Sequence, residues 1–334
     1  MTRRPLAAGK LPAALLRRLL ETGGPPPGDL LLPPAVGEDA GVIDIAGGAL
    51  VAATDPITLT GKEVGAHAVV INANDVAVMG VRPRWFLAVV LLPPSTTEAD
   101  VTEMFESMRA ALARIDVALV GGHTEVTMAV TQPVVVGQML GYRADGRFIR
   151  TAGMGAGDTV LQIGPAPVEG AAVLANECAD RLAEVAPDIL AQARDAVTAP
   201  GISVVAPALR AADLGATALH DPTEGGLSAG LHELADASGL ALRVDVDAAL
   251  WFEPGRAVCS VLGADPWGVL ASGALLAAIP AAETDAAEKA LKADGYQTAR
   301  IAVAEPGAGV DTGAGPLKRY EQDEVSRVLA EAGL

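Results

Sequence analysis

The sequence predicts an α+β protein of two domains, and three observations carry that prediction. Its 334 residues are enough for two domains and a sizeable core. Helix-length and strand-length apolar runs mix in both halves without a strict βαβ repeat, which favours sandwiches of mixed sheets and helices over a doubly wound sheet. A Gly-rich break, Met154-Gly155-Ala156-Gly157-Asp158, precedes a fresh strand pattern midway along the chain. The expected division is an N-terminal helix and linker over residues 1–30, one domain over 31–152 and a second over 153–334.

The elements follow in order. Leu15, Leu16, Leu19 and Leu20 share one helical face interrupted by Arg17 and Arg18, so the N-terminal stretch reads as an amphipathic helix and not as a signal peptide. Residues 21–36, rich in Gly and Pro, read as an irregular connection. Residues 42–45 and 50–53 form a hairpin about Gly47-Gly48. Residues 63–79 read as a buried helix closed by Gly80, with Pro83 just beyond. A strand over 85–92 and a helix over 95–115 follow, the helix capped by Thr96 or Thr97 ahead of Glu98. Strands over 117–120 and 134–140 flank Gly121-Gly122-His123-Thr124-Glu125. In the second half, strands are expected over 159–163, 216–219, 242–246, 274–279 and 298–303. Helices are expected over 170–179, 189–193, 204–214, 227–238, 283–294 and 321–332, with a loop over 307–315.

Composition excludes several classes. The chain is 51% hydrophobic, but no uncharged apolar stretch reaches the 18 or so residues of a spanning helix; residues 64–81 come nearest and carry His67, Asn72, Asn74 and Asp75. A net charge of −17 opposes binding to a nucleic-acid backbone. Two cysteines, Cys178 and Cys259, are too few for a disulfide framework or a thiolate metal site, so a cytoplasmic protein without nucleic-acid or membrane partners is expected. Cys178, in an Ala/Leu-rich helix, reads as buried.

Four acidic segments carry the chemistry: Gly37-Glu38-Asp39-Ala40, Thr54-Asp55-Pro56, Asn72-Ala73-Asn74-Asp75 and His220-Asp221-Pro222-Thr223-Glu224-Gly225-Gly226. Hard oxygen ligands drawn from several elements suit Mg²⁺ on a polyphosphate. No Gly-x-x-x-x-Gly-Lys-Ser/Thr loop is present, so a nucleotide site here would be built of carboxylates. Asn72, Asp75 and Met79 lie on one helical face, and amide and carboxyl groups in an apolar helix are costly unless paired or ligating. Asp55 stands at a strand end before Pro56. Lone Asp-Pro and Glu-Asp pairs are usually turn residues; here their co-occurrence is the signal. Lys62, in a glycine-loosened loop, can approach a phosphate. Gly121 and Gly122 permit close backbone approach to a ligand, and Glu125 adds an oxygen donor. A single His123 argues against zinc. Gly225-Gly226 opens a helix whose N-terminus would face an anion.

Together these segments resemble the superfamily of aminoimidazole ribonucleotide (AIR) synthase, which includes the hydrogenase maturation carbamoyl dehydratase, thiamine-monophosphate kinase and selenophosphate synthetase. Gly37-Glu38-Asp39-Ala40 resembles its Gly-Asp/Glu-Asp-Ala opening, and Ala53-Thr54-Asp55 its Thr-Thr-Asp strand end. Asn74-Asp75-Val76-Ala77-Val78-Met79-Gly80 and His220-Asp221-Pro222-Thr223-Glu224-Gly225-Gly226 are similar to dehydratase motifs. Gly121-Gly122-His123-Thr124-Glu125 resembles the Gly-Gly-x-Thr segment, and Ala271-Ser272-Gly273-Ala274-Leu275 also has a counterpart. The resemblance runs in order from about residue 10 to 305.

It implies an N-terminal sheet that joins its mate in a dimeric β-barrel, a C-terminal α/β sandwich, and MgATP held near a homodimer interface. Asp39, Asp55 and Asp75 would hold Mg²⁺, with Asn74 and Lys62 assisting at the nucleotide. Gly121, Gly122, Thr124 and Glu125 would line the phosphates. Asp75, His220 and Asp221 would serve catalysis, the last two on the substrate side. The expected activity is ATP- and Mg²⁺-dependent phosphorylation or activation of a small-molecule oxygen. A thiamine-monophosphate kinase and a non-catalytic nucleotide-binding dimer stand as alternatives. The dehydratase carries its substrate on a C-terminal cysteine; this sequence ends Glu331-Ala332-Gly333-Leu334, so self-modification is not expected.

Overall fold

The structure, a computed structural model, describes residues 13–21, 27–58 and 63–333. Helix α1 (Ala13–Glu21) precedes strands β1 (Leu30–Leu32), β2 (Gly41–Ile45) and β3 (Gly48–Ile57). Helix α2 (Val64–Val78), strand β4 (Pro83–Leu92), helix α3 (Glu98–Arg114) and strands β5 (Ala118–Val126) and β6 (Val134–Arg143) complete the N-terminal half. The second half runs β7 (Thr159–Ile163), α4 (Glu169–Glu177), α5 (Pro187–Arg194), α6 (Val205–Asp213), β8 (Ala218–His220) and α7 (Gly226–Ser238). It continues through β9 (Ala241–Val244), α8 (Glu253–Leu262), β10 (Leu275–Ile279), α9 (Thr284–Ala293), β11 (Thr298–Glu305), β12 (Gly309–Asp311) and α10 (Glu324–Ala332).

Local chemistry fixes several of these boundaries. The β2–β3 turn is closed by Asp44 Oδ1, which accepts from Gly47 N at 2.8 Å. Thr97 caps α3: its hydroxyl accepts from Asp100 N, while the Asp100 carboxylate accepts from Thr97 N at 2.9 Å, a reciprocal capping box. Helix α2 is apolar around most of its circumference because it is enclosed on all sides, against β3 and β6, α3 and α6.

Among the described residues the strands form two six-stranded sheets, ordered β1-β2-β3-β6-β4-β5 and β12-β9-β11-β7-β10-β8. Pairing is antiparallel except for β4 with β5 and β9 with β12, which are parallel. One apolar core passes from one sheet to the other. It joins Val51, Phe86 and Met139 of the first domain to Leu161, Leu219 and Leu275 of the second. No described helix is long and apolar enough to cross a membrane.

The structure departs from the sequence expectation in four places. β5 does not stop at residue 120 but runs through Gly121–Glu125, so those residues lie within the strand and not after it. A methyl on Gly122 would collide with the Ala88 carbonyl of β4, so close strand packing already accounts for that glycine. Strand β1 falls in the stretch expected to be irregular and β12 in the expected 307–315 loop. Helix α8 was not anticipated, because Pro254 and Gly255 occupy its first turn; proline at the start of a helix is tolerated where its missing N–H has no partner anyway.

Candidate functional site

Helix α2 carries the polar groups around which the site is built. Asn72 is fully buried and grips strand β3 at Asp55. Its Oδ1 accepts from Asp55 N at 2.8 Å, and its Nδ2 donates to Asp55 O at 3.2 Å and to Ala68 O at 2.8 Å. Room for this amide is made by Gly137, the partner of Asp55 on β6, where a Cβ would collide with the Asn72 side chain. Asn72 rather than Asn74 therefore positions Asp55. Asn74 turns toward the C-terminal domain: its Nδ2 donates to Ile202 O and its Oδ1 accepts from Val204 N, both at 2.9 Å.

Asp75, the next residue along, is buried where acidic groups from four segments converge. Its carboxyl is held well above the usual carboxylate range, first by burial, then by the negative charges of Asp221, Asp55 and Asp39 and by a hydrogen bond with Asp55. Asp221 is buried and Asp55 exposed, so the cluster opens to solvent on the β3 side. Among the described residues no three His, Cys, Asp or Glu side chains stand close enough to grip a metal ion as they lie.

Asp39 is fixed from the C-terminal side. Its Oδ2 accepts from Thr151 Oγ1 at 3.1 Å and meets His220 Nδ1 at 3.1 Å. The other ring nitrogen, Nε2, lies 2.8 Å from Glu233 Oε2 on α7. Burial opposes charge on His220, but the two flanking carboxylates prevail and hold its pKa well above the ordinary histidine value. Both nitrogens are thus engaged, and His220 acts here as a tie between Asp39 and Glu233. Glu38, beside Asp39, pairs with Arg150 at 2.8 Å.

The other expected residues lie apart from this cluster. Gly121, Gly122, Thr124 and Glu125 are exposed on β5, the edge strand. Register places Asp55, Gly137, Ala88 and Gly122 in one row across β3, β6, β4 and β5. Three strand spacings, about 14 Å, separate the first from the last. His123 Nε2 meets Glu125 Oε2 at 3.2 Å on that exposed edge. Lys62 lies outside the described residues.

The anion expected at the start of α7 belongs to the chain itself. Gly225 N donates to Asp323 Oδ2 at 2.6 Å, and Val325 N donates to Asp323 Oδ1 at 2.7 Å. Burial pushes the Asp323 carboxyl up to about 6. Gly225 and Gly226 both have positive φ, and a Cβ on Gly226 would lie 2.5 Å from Trp267 O, so the turn tolerates no side chain there.

Asn72 stood out in the sequence as a polar group in an apolar helix that needs a partner, and that partner is the backbone of Asp55 and Ala68. Glu233 and Thr151 were not singled out, and no local motif marks them; Thr151 acts on Asp39, far away in the chain, and Glu233 on His220 of the preceding strand. Cys178 is buried as expected.

Two α+β domains sharing one core, with acidic groups from both meeting at a buried helix, define a protein whose site is formed by the association of its halves. The chain belongs to the AIR synthase-related family. The model described as AIR synthase related protein, N-terminal domain, matches residues 37–142, and that of the C-terminal domain matches residues 155–313. The carbamoyl dehydratase HypE of Escherichia coli K12 is 34% identical over 72% of this chain and 68% of its own length. A hydrogenase maturation protein HypE in complex with ATP superimposes with a TM-score of 0.70 at 24% identity, covering 86% of this chain and 90% of that one. AaThiL complexed with AMPPCP and TMP gives a TM-score of 0.71 at 18% identity, covering 93% and 94%. These two structural likenesses speak for the fold.

Proposed function

We propose that the protein is an ATP- and Mg²⁺-dependent enzyme that phosphorylates or otherwise activates an oxygen of a small molecule, and that it works as a homodimer. The observation that carries this reading is the convergence of Asp39, Asp55, Asp75 and Asp221 from both domains. Stacking like charges around a buried carboxyl is unfavourable unless a cation or a proton relieves it. The donor set is all hard oxygen, the kind Mg²⁺ takes. The relatives add support, since one is named a carbamoyl dehydratase and others are solved with ATP or AMPPCP.

In this reading Asp39, Asp55 and Asp75 would hold the metal, drawing in around it from the positions they take here. Mg²⁺, when bound, would neutralise phosphate charge and favour in-line transfer. Asn72 keeps Asp55 in place, and His220 with Thr151 orients Asp39. Asn74 serves as a positioning residue, fixing α2 against the C-terminal domain. Asp221, buried beside the cluster, faces the substrate and can accept a proton from the attacking hydroxyl.

The homodimer is supported by the outer face of the first sheet. Leu50, Leu87, Val89, Leu91, Val136 and Leu140 lie there half-buried, and β5 presents an exposed edge bearing Val120, Val126 and, just beyond it, Met128. Burying such a surface against a second copy is favourable at about 25 cal/mol per Å². It would also cover Gly121, Gly122, Thr124 and Glu125, which we assign to the phosphates. Calorimetric titration of ATP with Mg²⁺ and then with EDTA tests the reading. Mg²⁺-dependent binding supports it, and heat that is absent or indifferent to EDTA overturns it.

A further inference from the structure

Beyond β12 the chain lies along one face of α7 before it enters α10. Leu317 N donates to Val310 O of β12 at 2.9 Å, which fixes where this segment begins. Ser228, His232 and Asp236 stand at four-residue intervals on α7 and so share a face. All three hold the segment. The Ser228 hydroxyl donates to Lys318 O, His232 Nε2 lies 3.1 Å from Leu317 O, and Asp236 Oδ1 accepts from the Arg319 guanidinium at 2.9 Å.

This path delivers Asp323 to the start of α7. That helix begins at Gly225, whose φ is +81° and which has no side chain to cap it. Asp323, buried at 9% exposure, supplies the missing acceptor from 98 residues away. Its Oδ2 accepts from Gly225 N at 2.6 Å, while its Oδ1 accepts from Val325 N at 2.7 Å and so caps α10. The Leu270 N–H donates to the same carboxyl. The first turn of any helix leaves N–H groups without a partner inside the helix, and its dipole favours a negative group there. One carboxylate meets that need for two helices at once, with one oxygen for each.

Gly225 follows Asp221 by four residues, and the turn between them has little freedom of its own. Gly226 N and Ala271 N both donate to Thr223 O, at 3.0 and 3.2 Å. Pro222 packs on α7 so closely that a Cβ on Gly230 would lie 2.7 Å from Pro222 Cβ. A turn this stiff is placed by its two ends, β8 on one side and Gly225 on the other. The geometry points to Asp323 as a positioning residue that caps α7 and α10 with one carboxylate and thereby sets the loop bearing Asp221. The use of that loop toward substrate rests on the enzyme reading above; the double cap does not.

The test is hydrogen–deuterium exchange read by mass spectrometry on the full chain at pH 7.5, without nucleotide. The Asp323 carboxyl sits at about 6, so at that pH it is ionised and both oxygens accept. Asp323→Ala should loosen the starts of both helices. Asp323→Ser separates the two roles, because serine caps its own helix about as well as aspartate but brings a single oxygen on a shorter side chain. It should restore α10 to the wild-type rate and leave residues 220–226 exchanging about tenfold faster or more. Wild-type exchange over 220–226 in Asp323→Ser overturns the proposal, since capping of α10 alone then accounts for the residue. Equal acceleration throughout residues 155–333 overturns it as well, because that is a general loss of stability. A wild-type protein that fails to bind MgATP would overturn the enzyme reading and leave the exchange result standing.

Discussion

Gly137→Ala places a single methyl group where the acidic cluster is anchored. The new carbon would collide with Asn72 Nδ2 and lie 2.7 Å from Asn72 Cγ and 2.9 Å from Phe86 Cε2. Asn72 is 0% exposed and has no solvent to swing into, so it must give up its bonds to Asp55 N, Asp55 O and Ala68 O. Three such bonds at about 0.5–1.5 kcal/mol each come to about 2–4 kcal/mol. Overpacking a tight core adds about 1–3 kcal/mol, for an expected loss of about 3–7 kcal/mol in urea unfolding. Asn72→Ala alone should cost about 2–4 kcal/mol. In the double variant the methyl meets only Phe86, and the combined loss should fall short of the sum by about 2–4 kcal/mol, because each single variant loses the same three bonds. Additivity within about 0.5 kcal/mol would refute the claim that Gly137 is small for the sake of Asn72.

Asp75→Asn should raise the melting temperature in EDTA at pH 8, with the gain shrinking toward pH 4. Its folded-state pKa is raised, so wild-type stability is retained below the unfolded value and lost as pH rises. Added Mg²⁺ should stabilise the wild type and not this variant; an equal shift in both would remove Asp75 from the metal set. Asp323 sits at about 6 when folded, and its ordinary value is about 3.9, so ionising it costs about 3 kcal/mol of stability between those limits. The difference in melting temperature between Asp323→Asn and wild type should therefore move in the variant's favour from pH 4 to pH 7.5, and a constant difference would count against the buried ionisation. Cys178 and Cys259 are buried with thiols pushed up, Cys259 to about 12. A thiol reagent should label neither in the folded protein and both in guanidinium, and fast native labelling would contradict their burial.

What was legible in the sequence was local. A helix cap at Thr96 or Thr97, a hairpin turn about Gly47-Gly48 and the closure of α2 at Gly80 are decided by neighbours a few residues away, and the structure puts the cap at Thr97 and the turn at Ala46 and Gly47. The acidic motifs stood out because carboxylates beside glycine or proline break apolar runs, and the structure does bring Asp39, Asp55, Asp75 and Asp221 together. The rest depends on partners distant in the chain. Gly121 and Gly122 looked like an opening for a ligand because the reason for a glycine at 122, the Ala88 carbonyl, lies on another strand. The start of α7 looked ready for a foreign anion, and nothing nearby announced Asp323.

The two hydrogen bonds of Asn74 bear on how this chain could be recombined. Its carboxamide reads the backbone at Ile202 and Val204, and the core around it draws side chains from both halves. The domain boundary near residue 153 is therefore not a seam along which modules can be traded. A chimera that took its first half from a relative would need to import the backbone path of residues 201–205 with it. Without that segment the transplanted helix would bring a buried amide with nothing to bind, and the acidic groups on either side of the seam would no longer face one another.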